Sequence, residues 1–181
     1  MKQTILARRY AKALFAVGKE NDAYEAYNDT LQGVAGLYIS TPEVADALTN
    51  PLYPLDIREK VMAGIIGSAE IDKIAANFLN LLVEKKRAEI LPEIAEAFQA
   101  MVDEEKNISH GSVTSAVELS DELQGKVQAA LEKLTGKKVE LSTSVDPSLI
   151  GGIVAKVGDL VLDGSIKTQL AGLKDSIKGR E

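Results

Sequence analysis

Between Asn107 and Gly111 the hydrophobic period of this chain changes, and that change constrains the fold more than any other feature. From Thr4 to about Lys106, apolar residues recur at helical spacing, broken only by helix punctuation. Beyond Gly111, Val113, Ser115 and Val117 alternate with Thr114 and Ala116 as they would in a strand. The chain of 181 residues therefore divides into a helical part, residues 1–106, a short linker, residues 107–111, and a mixed α/β part, residues 112–181. Either part is long enough to bury a core without disulfides or metals.

Six helices are expected in the first part. Thr4 caps the first, which carries Tyr10, Leu14 and the pair Ala7 and Ala11 on adjoining faces. A second, near Ala23 to Ile39, has Tyr24, Tyr27, Leu31, Val34 and Tyr38 along one stripe, and Thr41-Pro42 starts a short third that stops at Asn50-Pro51. The fourth runs from about Leu55 to Ile66 and ends at Gly67. The fifth, about Ile71 to Lys86, is apolar on more than one side, which predicts burial on more than one side. The sixth starts near Pro92 and ends in the charged run Asp103 to Lys106.

In the second part, Ser120 opens a helix with Leu123, Val127, Ala130, Leu131 and Leu134 at helical spacing, and Gly136 follows its end. Lys138 to Val145 alternates throughout and reads as a half-buried strand. Strand, helix and strand form a crossover whose two strands can lie parallel. Two further apolar runs, Ile153 to Val157 and Leu160 to Asp163, are separated only by Gly158-Asp159, a hairpin signal. Ser165 then caps a last helix with Ile166, Leu170, Leu173 and Ile177 on one face. The expected fold is thus a six-helix bundle followed by a small mixed sheet with two helices.

The residues that carry chemistry are sparse. Cysteine is absent and His110 is the sole histidine, with no nucleophile motif around it, so it reads as a polar linker residue. Gly151-Gly152 lacks the spacing of a phosphate-binding loop. Asp103, Glu104 and Glu105 are adjacent, but neighbours on a helix point apart and no histidine joins them as a metal ligand. Asp159 and Asp163 sit where turns use Asp to bind backbone amides. No catalytic residue, cofactor or metal is expected. Before Asn107 there are 12 basic against 17 acidic residues, and 9 against 10 from it onward, so neither part has the positive footprint of a nucleic-acid or anionic-membrane binder. No segment reaches the roughly 20 apolar residues of a membrane span. The N-terminus, with arginines inside its apolar run, reads as mature protein with a cytoplasmic start. A small hydrolase or transferase would need a convergent polar constellation, and a nucleic-acid module would need clustered Lys and Arg. What remains is a protein adaptor. The stripe Tyr10, Ala13 and Leu14 beside Phe78, Leu81 and Leu82 reads first as core, since amphipathic helices normally bury their stripe. With the fifth helix apolar on two sides of a small bundle, part of this surface can form a groove for a partner's amphipathic helix.

Three segments carry a resemblance: ARRYAKALF (Ala7 to Phe15), NFLNLLVEKKRAEILPEI (Asn77 to Ile94) and above all GGIVAKVGDLVLDGSIKTQL (Gly151 to Leu170). They resemble the delta subunits of bacterial F-type ATP synthases, whose mitochondrial counterpart is the oligomycin-sensitivity-conferring protein. The resemblance covers essentially the whole chain. One departure is lysine at Lys156, where members of that family often carry arginine nearby. The resemblance implies a non-catalytic stator subunit that couples proton-driven rotation to ATP synthesis on the cytoplasmic face of the cell membrane. It implies attachment to the membrane only through the complex, and no self-association in the assembly. It also implies two partners. Tyr10, Ala13, Leu14, Asn77, Phe78 and Leu81 would receive the N-terminal helix of an alpha subunit. The region of Gly151, Gly152, Gly158, Asp159, Asp163, Gly164, Ser165 and Leu170 would meet the b-subunit dimer of the stalk or hold the local fold.

Overall fold

The computed structural model describes residues 2–68, 71–158 and 160–170, with side chains from Ile5 onward. Among the described residues no helix is long and apolar enough to cross a membrane. The chain forms two compact units, Met1–Val102 and Asp103–Glu181.

The first unit is helical. Its helices are α1 (Lys2–Glu20), α2 (Tyr24–Ser40), α3 (Pro42–Thr49), α4 (Leu55–Ser68), α5 (Lys73–Glu84) and α6 (Leu91–Glu105), with a 3-10 turn, Ala88–Ile90, before α6. Helix α1 begins ahead of Thr4, which therefore lies inside the helix rather than at its cap. Pro42 occupies the first turn of α3 as expected, but Thr41 makes no side-chain capping bond. The cap that does form is on α5, where the Asp72 carboxylate accepts the Ile74 N–H at 2.8 Å. The core draws Ala7, Ala11 and Leu14 from α1, Tyr27, Leu31 and Val34 from α2, and Ile94 and Phe98 from α6. Helix α5 is central to it, burying Ala75, Phe78, Leu79, Leu82 and Val83 on one wide face, where its sequence predicts burial on more than one side; Leu81, on the other side, is 39% exposed.

One buried charge has no counterpart in the sequence reading. Arg58 on α4 is 4% exposed and donates from Nε to the Tyr53 carbonyl at 3.1 Å and from Nη2 to the Asn50 carbonyl at 2.9 Å. It closes the α3–α4 turn by donating to the Tyr53 carbonyl and by adding a second donor to the Asn50 carbonyl, which also accepts the Tyr53 N–H at 3.1 Å.

In the second unit, β1 (Ile108–Ser115), α7 (Asp121–Thr135), β2 (Lys138–Val145), β3 (Ile153–Val157) and β4 (Leu160–Asp163) build one sheet in the order β2-β1-β3-β4. Strands β1 and β2 are parallel, joined through α7, while β1–β3 and β3–β4 are antiparallel, so the sheet is mixed. The linker expected at residues 107–111 is instead the start of β1: Ile108 to Gly111 pair in register with Lys138 to Leu141. The polar sequence Ser109-His110 hides this strand, because pairing with β2 rather than burial holds it there. Val113, Leu131, Val139, Ala155 and Val157 form the small core of this unit. Of the apolar residues at helical spacing on α7, Leu131 is buried while Leu123 and Leu134 are 49% and 63% exposed. Helix α7 engages the outer edge of β2 through polar groups: Gln128 donates to the Val139 carbonyl at 2.8 Å and Glu132 accepts the Val139 N–H at 3.2 Å. At Val139 that edge is thereby closed to further strand pairing. Residues 166–170 are helical, and Leu173 and Ile177, expected on the same helix, lie outside the described residues.

Candidate docking surfaces

Two adjoining stripes run along α1. Ala7, Ala11 and Leu14 point into the core, at 0%, 0% and 3% exposure. Leu6, Tyr10, Ala13 and Val17, spaced at i, i+4, i+7 and i+11, form a second apolar stripe beside it that stays half or fully exposed. Leu6, Arg9, Tyr10, Ala13 and Arg87 line a shallow cavity of about 340 Å³ on this stripe. The Tyr10 ring is fixed on two sides. It meets the Phe78 ring edge to face, centroids 6.2 Å apart and planes at 69°, and the Arg87 guanidinium carbon lies 6.0 Å from its centroid.

The six residues expected at a head-binding groove thus divide. Tyr10 and Ala13 line the cavity, while Leu14 and Phe78 belong to the core beneath it. Asn77 and Leu81 on α5 are exposed, Leu81 at 39%. Leu6, Arg9 and Arg87 complete the cavity and are absent from the sequence expectation. Arg87 stands within the segment NFLNLLVEKKRAEILPEI, but only the meeting of α1 with the turn after α5 reveals its position over Tyr10.

The second candidate surface dissolves into internal structure at most positions. Gly152 has φ +79°, and the space where its Cβ would stand is filled by the Gly164 carbonyl. A Cβ on Gly151 would lie 2.6 Å from the Ile166 Cδ1. The Gly164 N–H donates to the Ile153 carbonyl at 2.9 Å, and the Ile166 N–H to the Gly151 carbonyl at 3.0 Å. Asp163 accepts from the Ser165 N–H at 2.9 Å and from the Thr168 hydroxyl at 2.7 Å. These bonds hold its carboxyl below the usual carboxylate range, the Ser165 amide contributing most. Ser165 is 1% exposed, and its hydroxyl accepts the Thr168 N–H at 3.2 Å, the helix cap its sequence predicts. Gly158 turns the β3–β4 hairpin at φ +56°, and Asp159 lies outside the described residues. Exposed apolar groups remain at Leu160, Val161 and Leu162 on the edge strand β4, and at Ile166 and Leu170.

His110 occupies neither surface. On β1 it stands between two carboxylates, Nε2 3.0 Å from Asp103 and Nδ1 3.6 Å from Glu140. No cluster of three or more His, Cys, Asp or Glu suited to a metal occurs among the described residues.

Comparison with known proteins agrees along the length of the chain. The family model described as ATP synthase delta (OSCP) subunit matches residues 6–177. The ATP synthase subunit delta of Desulfotalea psychrophila is 77% identical over 181 residues, covering both chains in full. That of Desulfosudis oleivorans is 46% identical over 181 residues, covering 100% of this chain and 99% of the relative. Among solved structures, a chain of the Toxoplasma gondii mitochondrial ATP synthase hexamer superposes with TM-score 0.72 at 26% identity, over 95% of this chain and 97% of that one. A chain of the Polytomella F-ATP synthase shares the fold over 55% of this chain and 89% of its own, at TM-score 0.51 and 18% identity. With a family match over nearly every residue and full-length relatives well above 30% identity, this chain belongs to the ATP synthase delta (OSCP) subunit family.

Proposed function

We propose that the exposed stripe of α1, with Leu81 and Arg87 beside it, receives the amphipathic N-terminal helix of an alpha subunit, and that the second unit meets the b-subunit dimer of the stalk. As a delta subunit the chain is a non-catalytic, structural part of the rotary ATP synthase, in the peripheral stalk that links the catalytic head to the stator. In this reading, the unit Met1–Val102 acts as a six-helix head-binding bundle and the unit Asp103–Glu181, which includes the whole of β1, as a separate stalk-binding module. The chain works as a single copy on the cytoplasmic face of the cell membrane, attached only through the complex.

The carrying observation is the second apolar stripe, Leu6, Tyr10, Ala13 and Val17. A helix that buries one stripe in its own core and leaves another apolar stripe exposed has room for a second helix. For the stalk, support comes from β4, an edge strand whose Leu160, Val161 and Leu162 are 39%, 56% and 39% exposed. The mechanism is mechanical: torque from the central shaft drags on the head, and two grips on one subunit hold it still with more avidity than either alone.

Titration of the full chain with a peptide of the alpha-subunit N-terminus tests the groove. Ala13→Asp places a charge on the exposed stripe and weakens binding without touching the core. Tyr10→Ala weakens it too, with some loss of stability because the Phe78 ring loses its partner. Affinity unchanged by Ala13→Asp rejects the groove.

A further inference from the structure

Resting on that groove, we propose that it selects a helix bearing carboxylates beside its apolar stripe, read by Arg9 and Arg87. The chain is acidic overall, with net charge −6, yet α1 carries Lys2, Arg8, Arg9, Lys12 and Lys19 against Glu20 alone. Positive charge is concentrated on the helix that also exposes the docking stripe.

Two of these cations border the cavity itself. Arg9 stands on α1 at the flank of the stripe away from the core, and Arg87 reaches the stripe from the turn after α5, with its guanidinium near the Tyr10 ring. Neither forms an ion pair with a carboxylate among the described residues, although the chain has more carboxylates than cations. Arg58 shows the contrast: its guanidinium is spent on two backbone carbonyls. Among the described residues no carboxylate takes the donors of Arg9 and Arg87, which suit an acceptor on a partner.

A helix seated on Leu6, Tyr10, Ala13 and Val17 runs between the two guanidinium groups. Side chains flanking its apolar stripe meet Arg9 on one side and Arg87 on the other. Glutamate there completes charge-assisted hydrogen bonds, glutamine completes weaker ones, and lysine meets like charge in a partly desolvated site. Arg87 matters more than Arg9, because it is half-buried and its position is fixed by the aromatic ring, so less side-chain entropy is lost on binding.

The test uses the full chain and three synthetic amphipathic peptides with an identical leucine and alanine stripe, flanked by glutamate, glutamine or lysine. At low ionic strength the glutamate peptide binds about fivefold more tightly than the glutamine peptide, and the lysine peptide binds weakest; raising the salt shrinks these differences. Arg87→Gln reduces the glutamate preference, read as the ratio of the glutamate-peptide to glutamine-peptide affinities, to less than about twofold. Arg9→Gln, at an exposed position that cannot threaten the fold, lowers the preference by a smaller factor. Arg87→Glu shifts the preference toward the lysine peptide. Equal affinity for all three peptides overturns the charge selection and leaves the groove standing, whereas failure of all three to bind overturns the groove as well. Sedimentation with phosphatidylglycerol vesicles without binding of the glutamate peptide assigns the basic face to a lipid surface and overturns the proposal.

Discussion

The carbonyl oxygen of Gly164 occupies the space in which a Cβ on Gly152 would stand. The two glycines bring the turn before β3 against the turn after β4, and Gly164 N–H to Ile153 carbonyl and Ile166 N–H to Gly151 carbonyl bonds fasten them. The most specific segment of the sequence is thus first a lock within the second unit, with exposed apolar residues beside it. Gly152→Ala combines a left-handed backbone with a backbone clash and should destabilise that unit by about 3 kcal/mol. Gly136→Ala provides the comparison. Its φ of +67° is similar but nothing lies near its Cβ, so the cost should be about 1 kcal/mol. Denaturant unfolding of the two variants checks this, and equal losses contradict the lock.

A second prediction concerns acid. The Asp163 carboxyl is held below the usual carboxylate range by the Ser165 amide and then the Thr168 hydroxyl. A depressed folded value means that the ionised form supports the fold. Its contribution is fully present above the unfolded value of about 4 and is lost as pH falls through the folded value. Stability of the wild-type chain should therefore fall more steeply below about pH 4 than that of Asp163→Asn, which cannot titrate. Thermal melts across that range decide it, and parallel slopes contradict the assignment.

The third prediction addresses Arg58. Truncation to alanine removes the side-chain donor of the Tyr53 carbonyl and one of the two donors of the Asn50 carbonyl, and should cost about 2 kcal/mol of the helical unit's stability. Arg58→Lys should recover only part, because one ammonium cannot reproduce the two fixed donor directions. Full recovery by lysine in equilibrium unfolding contradicts the geometry.

What is legible in the sequence follows from periodicity. Strand β2 reads at its true limits because Lys138 to Val145 alternates without fault, and the parallel crossover and β3–β4 hairpin follow from spacing and glycine. The start of β1 is not legible, because Ser109-His110 is polar and only its pairing with Val139 and Glu140 on β2 makes it a strand. Arg58 and Arg87 are equally hidden: an arginine in a helical pattern reads as solvated until a turn or a ring from elsewhere in the chain meets it. Leu14 and Phe78 show the converse limit. Spacing places them on an apolar stripe, but only the fold separates the stripe that is buried from Leu6, Tyr10, Ala13 and Val17 beside it.

The central claim, that this chain ties the catalytic head to its stator, is tested most directly by rebinding of purified catalytic heads to membranes depleted of both. With the wild-type chain restored, ATP hydrolysis should sediment with the membranes; without the chain, or with Ala13→Asp in its place, most of it should stay in the supernatant. Heads that return fully to the membranes in the absence of the chain would contradict the account.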